Sequence, residues 1–186
     1  MKRTSSRLLK YVIMYIAVSV TMVGCTLKPR PPFEVESPEK SMLFGNIKIQ
    51  GHDVTSIGLR EFGRFYLAPF VVPPRVMTFK NGNFVAENIK PGSYYISDFI
   101  SDNTKYTLVN DGRSAYQWII TVEPGSLIYV GSYTIDNISK DKAFKGDFNL
   151  RTVRHPTERV VLKHLFEITK GTGWQARVDR RIKSLQ

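Results

Sequence analysis

The side chains that could perform chemistry in this sequence are few, and their spacing forms no catalytic or metal-binding motif. The histidines lack the short spacing of a zinc site, and the aspartates lack the alternating pattern of a calcium loop. The serines after Pro-Gly pairs lie outside any G-x-S-x-G motif. These residues are His52, His155 and His164; Asp98, Asp102 and Asp111; and Ser93 and Ser126. We therefore expect no catalytic residue, no metal and no cofactor.

Cys25 is the only cysteine in the sequence, and it closes a distinctive N-terminal segment. A basic head precedes a continuous apolar run, Tyr11 to Val23, and the small Gly24 separates that run from the cysteine. These are the parts of a secretory signal. The run has 13 residues, whereas a helix that spans a bilayer needs about 20. A retained transmembrane anchor is therefore the weaker interpretation.

This arrangement resembles the lipobox of bacterial lipoproteins, whose signal is cut directly before a cysteine that carries a diacylglyceryl group. The resemblance implies cleavage between Gly24 and Cys25 and a lipid on the Cys25 sulfur. Met22 stands where the family prefers leucine. Thr26 follows the cysteine instead of aspartate, which implies sorting to the outer membrane, facing the periplasm, in a cell with two membranes.

The composition of the processed chain restricts its partners. Removal of residues 1–24 would leave 162 residues with 23 basic and 16 acidic side chains, a length that suits one domain. An exported, lipid-anchored protein seldom meets nucleic acid, so we expect no nucleic-acid partner. The partners that fit are the membrane, through the lipid on Cys25, and an envelope protein or cell-wall polymer. A charge that only keeps the domain soluble remains an equally open interpretation.

The distribution of proline and apolar residues divides the chain into four parts. We expect a signal peptide over 1–24, an acylated cysteine and Pro-rich tether over 25–41, a β-sandwich domain over 42–154 and a helical hairpin over 155–186. An extended polyproline tether would reach about 50 Å. The tether would therefore hold the domain clear of the membrane surface.

Short runs separated by turn signals fill the central part of the chain, which is typical of an all-β sandwich or barrel. Strands are predicted over 43–49, 64–72, 75–80, 83–87, 94–100, 105–109, 115–122, 127–135 and 147–153. Asn81-Gly82 predicts a type I′ hairpin turn. Pro91-Gly92 and Pro124-Gly125 each predict a type II turn. Strict alternation over 127–135 places Tyr129 and Tyr133 on one face.

The string NFVAENIKPGSYYI, residues 83–96, is similar to the central motif of carboxypeptidase regulatory-like, or prealbumin-like, β-sandwich domains. In those domains a phenylalanine, an asparagine, a proline-glycine pair and a tyrosine recur across one β-turn-β unit. Phe84, Asn88, Pro91-Gly92 and Tyr94 occupy these positions. The resemblance implies a mainly β chain with a prealbumin-like antiparallel β-sandwich, and a role as an accessory or binding module.

Beyond Pro156 the apolar spacing becomes helical. Thr157 and Glu158 suit the first turn of a helix, and a second helix places Trp174 on its apolar face. We expect a C-terminal α-helical hairpin that packs on the sandwich and is anchored by Trp174. The open alternative is a partner-binding surface, made of Trp174, Arg177, Arg180 and Arg181.

Solvent exposure would separate the candidate functions. An exposed Trp174 favours protein docking, whereas exposed Tyr116 and Trp118, which share a predicted strand face, favour glycan or peptidoglycan binding. Aromatic residues more often fill a sandwich core. A concave pocket with two carboxylates would favour an envelope hydrolase. On balance the sequence predicts a non-enzymatic binding or accessory module of the cell envelope.

Overall fold

A computed structural model describes residues 33–35, 37–49, 52–63, 74, 76–107, 119–136 and 149–185. They belong to a compact unit that begins at Phe33. Its elements are, in chain order, β1 (Ser41–Ile49), β2 (Val54–Glu61), β3 (Val76–Thr78), β4 (Asn83–Ile89), β5 (Gly92–Ser101), β6 (Thr104–Thr107), β7 (Ile120–Val122), β8 (Leu127–Asp136), β9 (Asn149–Thr152), α1 (Glu158–Ile168) and α2 (Gln175–Ser184).

Two sheets and a helical hairpin form the three layers of this unit, which confirms the predicted fold class. The central sheet has the strand order β3-β4-β1-β8-β9, and the outer sheet joins β2, β5 and β6, with β7 paired to β5. The sheets are mostly antiparallel, but β1 and β8 run parallel. The helices pack on the face of the central sheet that is turned away from the outer sheet.

The central sheet is buried on both faces, and each face contributes to a separate hydrophobic core. The sandwich core lies between the two sheets and includes Leu43, Ile47, Phe84, Ile96 and Phe99. The helix-side core lies under the hairpin and includes Met42, Phe44, Val85, Leu162 and Trp174. A strand that is covered on both faces reads as a nearly continuous apolar run. This explains why β1 alternates only partially in the sequence.

A β-bulge in β8 reverses which side chains face the sandwich core. The register against β1 shifts just after the pair Phe44–Tyr129, and Gly131 has a φ of 117°. Tyr129 therefore packs on the helix side, whereas Tyr133 lies in the sandwich core. The prediction that these tyrosines share a face is wrong, because an inserted residue breaks the two-residue period of a strand.

Asn88 forms a second bulge, within the motif that resembles prealbumin-like domains. Its φ is 56°, and the register between β1 and β4 shifts nearby. The bulge keeps Ile89 in the sandwich core together with Phe84. Asparagine adopts this left-handed conformation more readily than most residues. The Tyr94 hydroxyl then donates to the Lys90 carbonyl at 3.0 Å, at the turn where the chain passes between the sheets.

The turn predictions are only partly correct. Gly125 has a φ of 66°, and Ser126 donates its amide to the Glu123 carbonyl at 3.4 Å, as expected for a type II turn. In the β3–β4 hairpin the φ of Gly82 is positive, at 82°, but that of Asn81 is not. A three-residue loop with a glycine bulge therefore replaces the type I′ turn. Gly92 has a φ of 154°, far from the value of about 80° that a type II turn requires.

Strand β2 is missing from the sequence prediction. The register against β5 shifts near Thr55, so Val54, Ile57 and Leu59 all reach the sandwich core without strict alternation. The predicted strand over 64–72 and residues 115–118 of another lie outside the described residues.

Both predicted helices are present. Thr157 is the N-cap of α1, but its side chain makes no capping hydrogen bond. Its carbonyl instead accepts from the amides of Val160 and Val161. The described part of the chain contains no helix that is long and apolar enough to cross a membrane.

The residues just ahead of β1 belong to the compact unit, although the sequence predicts a tether there. Phe33 is 6% exposed and lies in the helix-side core. Val35 packs beside Gly173, where an added Cβ would lie 2.8 Å from the valine Cγ2. Asn88 donates its side-chain amide to the Glu34 carbonyl at 2.8 Å. The apolar side chains of Phe33 and Val35 explain why this segment packs on the domain.

Candidate functional site

Trp174 is an interior residue of the helical hairpin. Its relative exposure is 0%, and it lies in the helix-side core with Val161, Leu165 and Val178. The indole N–H has no hydrogen-bond partner among the described residues. Trp174 therefore anchors the hairpin, as the core-packing interpretation expected, and offers no surface to a partner.

Arg177 fastens the N-terminal segment to the hairpin. Its guanidinium donates to the carbonyl oxygens of Lys40 at 3.0 Å, Pro38 at 3.2 Å and Gly125 at 3.3 Å. It also lies 4.8 Å from the centre of the Trp174 ring, within the range of a cation–π interaction. Because all these contacts are internal, Arg177 holds Pro38 and Lys40 against the hairpin.

The other two arginines of the predicted docking surface differ from each other. Arg181 forms a two-pronged ion pair with Glu158, with distances of 2.7 and 3.2 Å. This pair joins the end of α2 to the start of α1. Arg180 is exposed to solvent. Of the four residues that the sequence suggested for partner binding, Arg180 is thus the one whose side chain is turned outward without such a contact.

Replacing Arg177 with alanine is expected to loosen the N-terminal segment and to lower the free energy of unfolding by about 1.5–3 kcal/mol, since hydrogen bonds from a charged donor are lost. The amide of Gly125 donates to the Glu39 carbonyl at 2.9 Å, so its hydrogen exchange reports on the attachment. Exchange at Gly125 should accelerate in Arg177→Ala. Arg180→Ala removes the same charge from an exposed position and should leave this exchange unchanged. Equal effects of the two substitutions would contradict the assigned role.

The hydroxyls of Tyr129 and Ser132 attach the start of the hairpin to the central sheet. They lie 2.7 Å apart, and both are within hydrogen-bond distance of the Pro156 carbonyl, at 3.1 and 2.6 Å. Burial raises the pKa of the Tyr129 hydroxyl, so it remains protonated at neutral pH. This tyrosine is therefore a structural residue and does not form a platform for a sugar ring. Tyr116 and Trp118 lie outside the described residues.

A cleft of about 530 Å³ opens at one end of the sandwich. Three connections form it: the β1–β2 loop with His52 and Asp53, the β3–β4 loop with Lys80, and the β5–β6 turn with Asp102. The Nδ1 atom of His52 contacts a carboxylate oxygen of Asp102. Sequence spacing alone could not reveal this pair, because His52 lies in the connection between the two sheets and Asp102 lies in the turn of a hairpin within the outer sheet.

The conformation of the β5–β6 turn itself could be predicted from its residue types. Asp102 and Asn103 both have positive φ, 48° and 60°, as a two-residue type I′ turn requires. Aspartate and asparagine are the residues that adopt this conformation most readily after glycine. The turn is thus predictable from the Asp-Asn pair, although its proximity to His52 is not.

The cleft contains two carboxylates, Asp53 and Asp102, as the hydrolase alternative requires. Both side chains are exposed, and His52 already occupies one oxygen of Asp102. A carboxyl that acts as a general acid at neutral pH is usually held in an apolar, buried site. Neither carboxyl of the cleft has such a setting.

The histidines are not brought together. His52 lies at the cleft, whereas His164 packs edge-to-face against Phe79, with ring centres 4.9 Å apart. Burial lowers the pKa of His164, which keeps its imidazole neutral at pH 7. Across the described ranges no three histidine, cysteine, aspartate or glutamate side chains converge as a metal site would require.

No model of a protein family matches this chain, and no curated protein matches it. The interpretation of the lipobox and of the prealbumin-like motif therefore rests on the residues themselves. Cys25 and Gly24 lie outside the described residues.

Proposed function

We propose that this protein is a membrane-anchored envelope lipoprotein that acts as a non-enzymatic binding or accessory module. The observation that carries the proposal is the position of Cys25, directly behind a basic head, a 13-residue apolar run and Gly24. Cleavage before Cys25 would leave a lipid on its sulfur, and the lipid would hold the domain on the periplasmic face of the outer membrane in a cell with two membranes.

The fold agrees with a binding role, since three connections meet around a cleft at one end of the sandwich. Loops that are held by a rigid sandwich are common places for ligand binding. The His52–Asp102 cleft is such a place. Because it contains both acidic and basic groups, it suits a polar ligand that is either zwitterionic or uncharged. We assign the sandwich to the prealbumin-like type, on the support of the Phe84–Tyr94 motif and of the left-handed Asn88 within it.

The anchor is tested by replacing Cys25 with alanine in the full-length protein. We expect the variant to appear in the soluble exported fraction, because it has no thiol to receive the diacylglyceryl group. Metabolic labelling with a radioactive fatty acid should mark the unaltered protein and not Cys25→Ala. Cell fractionation and immunoblotting provide the measurement.

The matched control is Ser37→Ala, a small substitution beyond the predicted cleavage site that leaves the lipobox intact. It should remain in the membrane fraction and should incorporate fatty acid. Retention of Cys25→Ala in membranes after washing with high salt, together with absent labelling of the unaltered protein, would overturn the lipoprotein proposal.

A further inference from the structure

The excess positive charge of the protein is concentrated in the helical hairpin. Residues 33–153 contain 13 basic and 13 acidic residues, whereas residues 154–186 contain eight basic and three acidic residues. The three carboxylates of the hairpin are already paired with cations in the same layer: Glu158 with Arg181, Glu167 with Lys170 and Asp179 with Lys183. The remaining positive charge is therefore not neutralised within the hairpin.

Four exposed cations carry this excess at the surface: Arg154, Arg159, Lys163 and Arg180. They have no ion pair with any other described residue. Arg159 follows Glu158 and Arg180 precedes Arg181 in the chain, and the Glu158–Arg181 pair brings the start of α1 next to the end of α2. Lys163 follows Arg159 by one helical turn, on the same side of α1. We call Arg159, Lys163 and Arg180 the basic face.

The compact unit begins in this same layer. Phe33 lies in the helix-side core, and Arg177 holds residues 38 and 40 against α2. Only seven residues lie between Cys25 and Phe33, and the eight residue-to-residue steps span at most about 28 Å. A lipid on Cys25 would therefore keep the start of the compact unit within about 28 Å of the bilayer, a shorter reach than the roughly 50 Å expected for a tether over residues 26–41.

We infer that the basic face lies against the anionic head groups of the membrane to which Cys25 is anchored. The inference rests on the proposed lipid anchor. Each lysine or arginine near an anionic bilayer adds electrostatic attraction, and guanidinium groups bind phosphate with two parallel hydrogen bonds. The N-terminal segment carries the exposed Glu34 and Glu39, so the contact is assigned to α1 and the end of α2. The cleft and the outer sheet then remain accessible to the periplasm.

Val160 provides a site for a probe, because it is 54% exposed and adjacent to Arg159 in α1. Acylation consumes the Cys25 thiol, so Val160→Cys would introduce the only free thiol of the protein. We would label this thiol with a donor dye and place the lipidated protein in vesicles that carry an acceptor dye on their head groups. The vesicles would contain phosphatidylcholine alone, or phosphatidylcholine with phosphatidylglycerol.

Energy transfer should be higher on vesicles with phosphatidylglycerol, and high salt should return it to the value for phosphatidylcholine alone. The double variant Arg159→Gln and Lys163→Gln should abolish this difference. Its docking equilibrium should weaken about fivefold for each cation, or roughly 25-fold in total. Lys48→Gln and Arg60→Gln remove the same charge from exposed strand positions and should leave the transfer unchanged.

Equal transfer on both kinds of vesicle would overturn the inference, and so would a loss of transfer that is as large in the strand control as in the helix variant. Whether the protein is anchored at all is measured separately, by testing whether it floats together with the vesicles. If the protein does not float with them, the lipoprotein proposal is wrong, and the inference is overturned with it. If the protein floats but shows no dependence on anionic lipid, only the inference is overturned.

Discussion

Replacing Trp174 with alanine is expected to lower the free energy of unfolding by about 3–5 kcal/mol, the range for removing a large aromatic side chain from a core. The side chain is completely buried at the junction of the hairpin and the central sheet. Its removal would also deprive Arg177 of the ring that its guanidinium covers. For a unit of this size, the melting temperature should fall by on the order of 10 °C.

Two matched variants make the expectation for Trp174 specific. Trp174→Phe keeps most of the apolar volume and removes the indole N–H, which has no partner among the described residues, so its loss should be clearly smaller than that of alanine. Val160→Ala trims an apolar side chain that is 54% exposed and should change stability by less than about 1 kcal/mol. Thermal and urea unfolding give the free energies. A melting curve that is the same for Trp174→Ala as for the unaltered protein would contradict the buried position.

The hairpin was the part of the fold that the sequence predicted best. Apolar residues at helical spacing, with glycines between the helices, are local signals, and they fix both the elements and their buried faces. Burial of Trp174 and Val178 follows directly from that spacing. What the spacing could not show is the role of Arg177, whose acceptors are backbone carbonyls up to 139 residues away in sequence.

The sandwich was harder to predict in detail because bulges interrupt three of its strand pairings. Each bulge adds one residue to a strand, which reverses the face of the sheet to which the following side chains point. A strict two-residue period therefore assigns the residues beyond the bulge to the wrong face. Tyr133 is the clear example, since Gly131 turns it into the sandwich core. The same effect explains why β2 was not predicted from the sequence, since its core residues Val54, Ile57 and Leu59 are not evenly spaced.

The boundary of the tether was misplaced for a different reason. Prolines and charges between residues 26 and 41 predict an extended chain, but two apolar residues within that stretch pack against the helical layer. Phe33 enters the helix-side core, and Val35 packs beside Gly173. A compositional average does not detect single side chains that dock on a distant element, and here the difference decides how far the domain can stand from its anchor.

The candidate cleft shows the same limit for function. Its residues are separated by tens of positions in the chain, and the contact between His52 and Asp102 depends on the β1–β2 loop and the β5–β6 turn meeting at one end of the sandwich. Local patterns could identify the turn at Asp102 but not its neighbour. Long-range pairing, and not residue type, creates this site.

The second large effect is expected at Gly58 in β2. Glycine usually weakens a strand, and a β-branched residue usually strengthens it, so propensity alone predicts that Gly58→Val is stabilising. The structure predicts the opposite. A Cβ at this position would lie 2.5 Å from a carboxylate oxygen of Asp98, the residue that pairs with Gly58 across the strands. We expect Gly58→Val to lower the free energy of unfolding by about 1–3 kcal/mol, as overpacking does.

The Asp98 carboxylate cannot move away without losing its own partners. It is nearly buried, at 8% exposure, and it accepts a hydrogen bond from Ser97 at 2.7 Å and pairs with Lys105 at 3.3 Å. A double-mutant cycle with Asp98→Ala tests whether this collision is the cause. In the Asp98→Ala background the carboxylate is absent, so Gly58→Val should become neutral or stabilising, in line with its strand propensity. A loss of stability that is the same in both backgrounds would show that the strain at Gly58 arises from the backbone and not from Asp98.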